Sequence, residues 1–170
     1  TFLIDFGLTR AHRTDTHLYM RACGRDQYAH ITELGDPAFV GMGFRAKSEK
    51  DLFVLANKED CSSVETLDRP GGGKYVQLTD PNGFKVEVVH GIDTVEPLEL
   101  ENDYKFNFGN DTERYNEFIR LKKGPTQCLR LGHVVIGVSD FKESNKFYKS
   151  NVGFLDSDVC YEGDKENVIL

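Results

Sequence analysis

Short runs of alternating apolar and polar residues recur along the chain and predict a protein rich in strands. Period-two alternation with β-branched and aromatic residues is typical of strands with one buried face. Such runs occur at residues 16–23, 28–33, 38–46, 75–79, 84–89 and 129–138. Polar or glycine-containing segments separate them, so we expect short strands joined by tight connections.

The sequence DPNG at residues 80–83 predicts a hairpin turn between two of these strands. Asp can bond back to the backbone, Pro presets φ, and Gly accepts a left-handed final position. The turn should therefore join residues 75–79 to residues 84–89 as antiparallel partners. Alternate residues of the second strand then share a face, with Phe84, Val86 and Val88 on one side and Lys85, Glu87 and Val89 on the other.

Two polar pairs mark the starts of helices. Ser48 is followed three residues later by Asp51, the pattern of a helix N-cap with an acidic third position. Asp140 and Glu143 form a second pair of this kind. Apolar residues follow both pairs, and Gly153 provides a C-terminal stop for the second helix. We therefore expect each helix to come directly after a predicted strand.

This order of strand, polar cap and helix occurs twice, which indicates an internal duplication. Residues 38–52 and residues 129–144 share it, and their alignment places His133 on Val40. The repeating unit is a strand, a helix and then several strands, about fifty to sixty residues long, a spacing typical of repeated supersecondary units.

The beginning of the chain resembles the end of the second predicted helix. FYKSNVGFLDS at residues 147–157 aligns with TFLIDFGLTRA at residues 1–11, with Gly153 on Gly7. Because the later segment is predicted to lie inside a helix that follows a strand, we expect residue 1 to lie inside a helix as well. The same logic predicts that the second copy continues beyond residue 170, so that the chain is the middle of a longer protein.

Composition narrows the classes of partner. The chain has 170 residues, 39% of them hydrophobic, with 28 acidic and 21 basic side chains and a net charge of −7. This content allows a packed core, whereas an acidic chain without a basic stripe is a poor partner for nucleic acid or an anionic membrane. No apolar run approaches the ~20 residues that a membrane-spanning helix needs. We therefore expect neither a nucleic-acid nor a membrane partner.

The use of cysteine indicates a reducing compartment. The four cysteines lie far apart in the sequence, and no two of them form a C-x-x-C pair. We therefore predict free thiols and a cytoplasmic protein.

A change of composition after residue 92 suggests how the domains are arranged. Acidic residues cluster in VEPLELENDY, and a short helix is predicted to begin at Asp111 or Thr112. We interpret residues 1–92 as an N-terminal domain of two repeats that lacks its first strand, residues 93–128 as an interdomain connection, and residues 129–170 as the start of a C-terminal, metal-binding domain.

Three segments carry a resemblance to a known superfamily. RLGHVVIGVSDFKESNKFYKSNVGF, TDPNGFKVEVVHG and FLIDFGL resemble the vicinal oxygen chelate superfamily, which includes glyoxalase I, bleomycin-resistance proteins and extradiol dioxygenases. NEFIRLKKGPTQCLRLGHVVIG is most similar to the join between the two domains of type I extradiol dioxygenases. The resemblance implies an α+β fold of repeated βαβββ modules that are paired into cupped mixed sheets, here incomplete at both ends.

His133 is the main candidate for chemistry. On a strand it shares a face with Leu131, Val135 and Gly137, opposite an apolar face. The residues alone leave two readings open, a metal ligand or a histidine bonded to a neighbour. The resemblance implies that His133 is the first ligand of a 2-His-1-carboxylate set for Fe(II), with Mn(II) possible. It also implies that the other ligands lie past Leu170, and we expect Val135 to line the substrate pocket.

The remaining candidate ligands are weaker. By the resemblance, Glu87 occupies the position of a ligand glutamate, but the aligned partner position is Val40 rather than a histidine. We therefore expect a structural or surface role for Glu87. His12 and His17 lie five residues apart around a turn-like segment, and a strand would place them on opposite faces, so we do not expect a joint metal site.

The resemblance implies a fragment of an Fe(II)-dependent extradiol dioxygenase that cleaves a catechol-type aromatic ring with O₂. Its partners would be a small aromatic diol and O₂, and the full-length protein would form a homo-oligomer. A glyoxalase-like metal-dependent lyase or isomerase is an alternative, and so is a metal-free binding protein on the same scaffold. Because it supplies at most one ligand, we expect the 170-residue chain to be inactive by itself.

Overall fold

The structure is a computed structural model that describes residues 2–100, 123–158, 160–162 and 165–167. The helix predicted to begin at Asp111 or Thr112 lies outside the described residues. Contacts within the chain separate two compact units. Unit 1 comprises Thr1–Leu34 and Thr94–Leu131, and unit 2 comprises Gly35–Asp93 and Gly132–Leu170. The domain limits expected at residues 92 and 128 remain a prediction.

Unit 1 is a small antiparallel sheet preceded by one turn of helix. Its elements are α1 (Phe2–Asp5), β1 (Thr9–Arg13), β2 (His17–Arg21) and β3 (His30–Glu33), with the strands in the order β1-β2-β3. A core of Leu8, Met20 and Ala22 lies beneath the sheet. Gly7 follows α1 with φ of +107°, which confirms the predicted glycine stop.

Strand β1 is the element of unit 1 that the sequence did not predict. All five of its residues, TRAHR, are exposed, so no alternation of apolar and polar residues announces it. It forms because its backbone pairs with β2, with Thr9 opposite Arg21 and Arg13 opposite Leu18. Backbone pairing with β2 therefore determines this strand, although its side-chain pattern does not predict one.

Unit 2 contains a βαβββ module, hereafter the first repeat. Its elements are β4 (Gly41–Arg45), α2 (Glu49–Ala56), β5 (Glu65–Thr66), β6 (Lys74–Thr79) and β7 (Lys85–His90). The sheet order is β4-β7-β6-β5, with β4 parallel to β7 and the other pairs antiparallel. The β6–β7 hairpin confirms the turn predicted at DPNG, where Gly83 has φ of +87°.

The core of unit 2 lies between one face of this sheet and its helices. Val76, Val86 and Leu52 are almost completely excluded from solvent. Val86 and Val88, which were predicted to share one face of β7, both point into this core. Because a Val or Leu side chain contributes about 1.5–3 kcal/mol when fully buried, this core stabilises the first repeat.

Both predicted helix starts in unit 2 are confirmed. Ser48 and Asp51 form a reciprocal capping box at the start of α2. The side chain of Asp140 accepts a hydrogen bond from the Glu143 amide at 2.9 Å and caps α3, which spans Phe141–Phe147. The chain continues into a π-helix, Tyr148–Val152, and leaves it at Gly153 with φ of +84°.

The predicted strand at residues 129–138 is wrong. These residues are all described, and none of them belongs to a strand. A strand exists only when its backbone pairs with a neighbour, and the described residues supply no ladder partner for this segment. The next strands along the chain, β8 (Cys160–Glu162) and β9 (Lys165–Asn167), pair with each other. Residues 132–158, with α3 and the π-helix, are hereafter the second repeat.

The helices of the described residues are all short. None of them is both long enough and apolar enough to cross a membrane. The longest, α2, has eight residues.

Candidate functional site

The face of the first-repeat sheet opposite the core is where the candidate ligand Glu87 lies. The register of the parallel pair sets Gly41 beside Lys85, Gly43 beside Glu87 and Arg45 beside Val89. Residues that pair across a sheet project to the same side, so Glu87 has the bare backbone of Gly43 as its neighbour on β4. We refer to this surface as the outer face.

Glu87 is engaged by an arginine that the sequence analysis did not identify. The Arg69 guanidinium donates two hydrogen bonds to it, from Nη1 to Oε2 at 2.6 Å and from Nη2 to Oε1 at 2.7 Å. The Glu87 side chain is only 15% exposed. A bidentate arginine occupies both carboxylate oxygens, and it is among the stronger polar pairs in proteins. This arrangement supports the structural role expected for Glu87.

His133 and Val135 lie on the exposed side of the second repeat. His133 is exposed, and Val135 is 79% exposed. Ile136 and Val138 are half-buried, and Ile136 packs against the core of unit 2. The predicted alternation is thus visible in this part of the segment although no strand has formed.

In the structure, the counterpart of His133 in the first repeat is not the residue expected from sequence. Phe44 and Ile136 both pack against the core, and aligning them also aligns the helix caps Ser48 and Asp140. In that alignment His133 falls on Gly41, one residue later than the Val40 expected from sequence. The alignment from sequence gave Val40 because it matched residue types alone, and only the structure shows which side chains point toward the core.

Gly41 leaves no room for a ligand. A Cβ built at this position would meet the carbonyl oxygen of Lys85 at 2.1 Å, well inside the contact distance that real side chains keep. Any side chain would force β4 away from β7. The first repeat therefore offers a carboxylate already held by Arg69 and, opposite it, a position closed to histidine.

In unit 1, the hairpin brings together two histidines that we expected to lie apart. His12 lies opposite Tyr19 in the β1–β2 pair, and the two rings are 5.9 Å apart. The His17 ring stacks on the same tyrosine at 6.0 Å. The expectation of opposite faces was wrong because a hairpin, and not one continuous strand, connects them. Both imidazoles contact a buried phenol ring.

Metal-binding clusters are a separate question. Among the residues that the structure describes, no group of three or more His, Cys, Asp or Glu side chains could hold an ion together. His133 alone does not make a transition-metal centre, because such centres need several ligands.

Two clefts of about 280 Å³ each open on unit 2. They share Arg45 and Ala46 in their walls; one extends between α2 and the π-helix, and the other runs along the end of β7. Neither cleft is lined by His133 or Val135.

Comparison with known proteins gives structural similarity without sequence matches. No protein-family model and no curated protein matches the sequence. Among solved structures, the chain is similar to the Mn(II)-bound glyoxalase from Novosphingobium aromaticivorans, with a TM-score of 0.66 and 18% identity. The alignment covers 91% of this chain and 46% of the glyoxalase, so the chain spans about half the length of that protein.

A second similarity is weaker. Homoprotocatechuate 2,3-dioxygenase from Brevibacterium fuscum, solved as a complex with 3,4-dihydroxyphenylacetate, aligns with a TM-score of 0.48 and 22% identity. That alignment covers 57% of this chain and 33% of the dioxygenase. A TM-score below 0.5 supports no argument, so the glyoxalase alignment carries the conclusion about the fold.

The fold is therefore the α+β vicinal oxygen chelate fold, as the sequence resemblance implied. The βαβββ order of the first repeat and its mixed sheet agree with this assignment. At 18% identity the similarity defines the fold and leaves the activity open.

Proposed function

We propose that this chain belongs to a metal-dependent enzyme in which the second repeat supplies the first metal ligand, His133. The observation that carries the proposal is the contrast between equivalent positions. His133 is exposed, whereas the equivalent Gly41 is closed by the Lys85 carbonyl. Only one of the two repeats can therefore present an imidazole at this position.

We further propose that the enzyme is an extradiol dioxygenase using Fe(II), or alternatively Mn(II). Two further ligands, a histidine and a glutamate, would lie past Leu170. When bound, a 2-His-1-carboxylate iron holds small ligands at its open positions, which suits a catechol-type diol and O₂. Val135, which is 79% exposed and lies two residues after His133, would contact the aromatic substrate.

A glyoxalase-type activity is the second candidate. The observation that favours it is the TM-score of 0.66 with a Mn(II)-bound glyoxalase, over 91% of this chain. The glyoxalase is about twice as long as this chain. A chain that forms part of a longer protein is therefore compatible with either activity. A metal-free binding protein on the same scaffold is the outcome if neither activity nor metal is found.

The setting of the enzyme is proposed from charge and cysteines. We propose a cytoplasmic protein that has no nucleic-acid or membrane partner, on the grounds of a net charge of −7 without a basic stripe. That the full-length protein forms a homo-oligomer is a proposal that rests on the family resemblance. Cys23, Cys61 and Cys128 are free thiols, as expected in a reducing compartment.

The test is an assay of the full reading frame, purified without oxygen and loaded with Fe(II) or Mn(II). We expect O₂ uptake and a yellow ring-fission product from a catechol, both lost in His133→Ala. Turnover in the glyoxalase reaction without ring cleavage would favour the second candidate. Absence of bound metal in the full-length protein would contradict both. The 170-residue chain should show neither activity.

A further inference from the structure

A network of hydrogen bonds connects the β6–β7 turn of the first repeat to α3 of the second. Asn82 is at its centre. Its Oδ1 accepts from the Ser139 amide at 2.9 Å and from the Ser139 hydroxyl at 3.0 Å, and its Nδ2 donates to Ser144 Oγ at 3.1 Å. One side chain of the first repeat thus holds the residue before the cap of α3 and a residue inside it.

Asp80 makes the second connection. Its Oδ1 accepts from the Asn82 and Phe84 amides, both at 2.9 Å, which fixes the shape of the turn. Its Oδ2 accepts from the Tyr148 hydroxyl at 3.0 Å. Asp80 is 4% exposed and Tyr148 is 3% exposed. Burying a polar group costs free energy unless it is hydrogen-bonded. The bond between Asp80 and Tyr148 therefore favours this arrangement of the two residues.

A third connection lies at the far end of the π-helix. Lys58, just past the end of α2, donates to the carbonyl oxygens of Ser150 and Asn151. A cation is favourable at a helix C-terminus because it neutralises the exposed carbonyls. The helical segment of the second repeat is therefore attached to the first repeat at its beginning, in its middle and at its end.

The first of these attachments bears on the candidate ligand. Ser139 is held by Asn82, and Ile136 is held in the core. His133 lies shortly before these two anchors on the same segment. Fixing both restricts where the backbone of His133 can lie, and metal affinity depends on ligands that are already in place.

We propose that the DPNG turn is a positioning clamp, in which Asn82 and Asp80 dock the second repeat on the first and thereby place His133. The clamp gives a role to the Asn82 amide, which both accepts from and donates to the second repeat. Asn82 and Ser139 are positioning residues in this proposal. The part that concerns metal rests on the proposed function.

The clamp itself is tested by amide hydrogen exchange on the 170-residue chain. Asn82→Ala keeps the turn amide but removes the three contacts to the second repeat. We expect exchange in α3 and the π-helix to accelerate about tenfold, the equivalent of one net hydrogen bond, with β1–β3 unchanged. Lys142→Ala, an exposed change on α3, is the matched control and should have no such effect.

A conservative pair of variants separates a specific contact from general destabilisation. Ser139→Ala removes only the hydroxyl bond and should accelerate exchange by about threefold, a fraction of a net hydrogen bond. Ser139→Thr retains the hydroxyl and should restore the wild-type rate. Exchange in Asn82→Ala that matches the Lys142→Ala control would overturn the clamp, as would a failure of Ser139→Thr to restore protection.

The link to the metal is tested in the full reading frame by Mn(II) titration. We expect Asn82→Ala to raise the Mn(II) dissociation constant about tenfold, with no change in Lys142→Ala. An unchanged dissociation constant would overturn the positioning role. If the wild-type protein does not bind Mn(II), the proposed function fails, and the exchange experiment alone decides whether the clamp exists.

Discussion

The two repeats of unit 2 share a predicted order of strand, polar cap and helix, but their first segments have different structures. In the first, residues 41–45 pair with β7 and form the edge of a four-stranded sheet. In the second, residues 132–138 alternate between exposed and half-buried positions near their end but pair with no strand. The comparison shows that side-chain alternation specifies which residues face the core, whereas a strand needs a partner.

The repeats also differ in what they offer to a metal. The first repeat places a carboxylate on its outer face but holds it with Arg69 and fills the neighbouring positions with glycines. The second repeat presents His133 without an ion pair to a carboxylate in the described residues. Under the proposed function, the first repeat serves as scaffold and the second supplies the site.

The largest expected effect is on the free energy of unfolding, and it compares the core of the first repeat with the exposed segment of the second. Leu52 is fully buried, so Leu52→Ala should lower the free energy of unfolding by about 3 kcal/mol through lost burial and the cavity that remains. Val135→Ala, at a position 79% exposed, should change it by less than about 0.5 kcal/mol. Urea denaturation of both variants checks this, and equal losses would contradict the assignment of Val135 to an open surface.

The Arg69–Glu87 pair should give the next largest effect. Glu87→Gln removes the charge from a partly buried bidentate pair, and we expect a loss of about 1–2 kcal/mol in unfolding free energy. The control is Asp156→Asn, which weakens the exposed pair with Lys149 and should cost less than about 0.5 kcal/mol. If the control costs as much as Glu87→Gln, the outer-face pair does not stabilise the first repeat.

The connection between the repeats should make stability depend on high pH. Burial, followed by the hydrogen bond to Asp80, raises the pKa of Tyr148 far above its usual value. The neutral phenol is therefore favoured in the folded state, and its contribution is complete below about pH 10, the unfolded value. It is lost as the pH rises toward the folded value.

The matching variant is Tyr148→Phe, which should cost about 1 kcal/mol at neutral pH. Above about pH 10 its stability should fall less steeply than that of the wild type, because the titrating group is gone. Tyr75→Phe is the comparison for a tyrosine outside the network. The hydrogen bond to Glu65 is the main cause that raises the pKa of Tyr75, so this variant should flatten the curve less than Tyr148→Phe. Parallel pH curves for wild type and Tyr148→Phe would be inconsistent with the buried Tyr148–Asp80 bond.

The smallest expected effects concern the two helix caps. Ser48→Ala removes the hydroxyl that donates to Asp51 Oδ2 at 2.9 Å, and Asp140→Ala removes the carboxylate that accepts from the Glu143 amide. Each should cost about 0.5 kcal/mol, the lower range for changes at a helix start. Thermal unfolding of the two single variants checks the values. Similar losses would support equivalent starts of the two repeats, whereas no effect of Asp140→Ala would mean that α3 is held only by its tertiary contacts.

Local chemistry made much of the fold predictable from sequence. The capping box at Ser48 and the turn at residues 80–83 each depend on nearby side chains bonding to nearby backbone, so their signals are contained within a few residues. The grouping of Val86 and Val88 on one face of β7 was predictable because side chains alternate along a strand.

The site depended on contacts that a sequence does not display. Arg69 and Glu87 are separated by eighteen residues, and Asn82 and Ser139 by fifty-seven, so only the folded chain reveals that they meet. The core packing of Phe44 and Ile136 showed that Gly41 corresponds to His133. The carbonyl of Lys85, opposite Gly41 on β7, leaves no room for a side chain there. The amide at the third position of the DPNG turn is the sequence feature that corresponds to the proposed clamp.

The most direct test of the account is the metal content of the full-length protein in two single variants. His133→Ala should lose bound Fe(II) or Mn(II), because it removes a ligand in the second repeat. Glu87→Gln should retain wild-type metal content, because its carboxylate is already held by Arg69 in the first repeat. Retention of metal in His133→Ala together with its loss in Glu87→Gln would contradict the division of roles between the repeats.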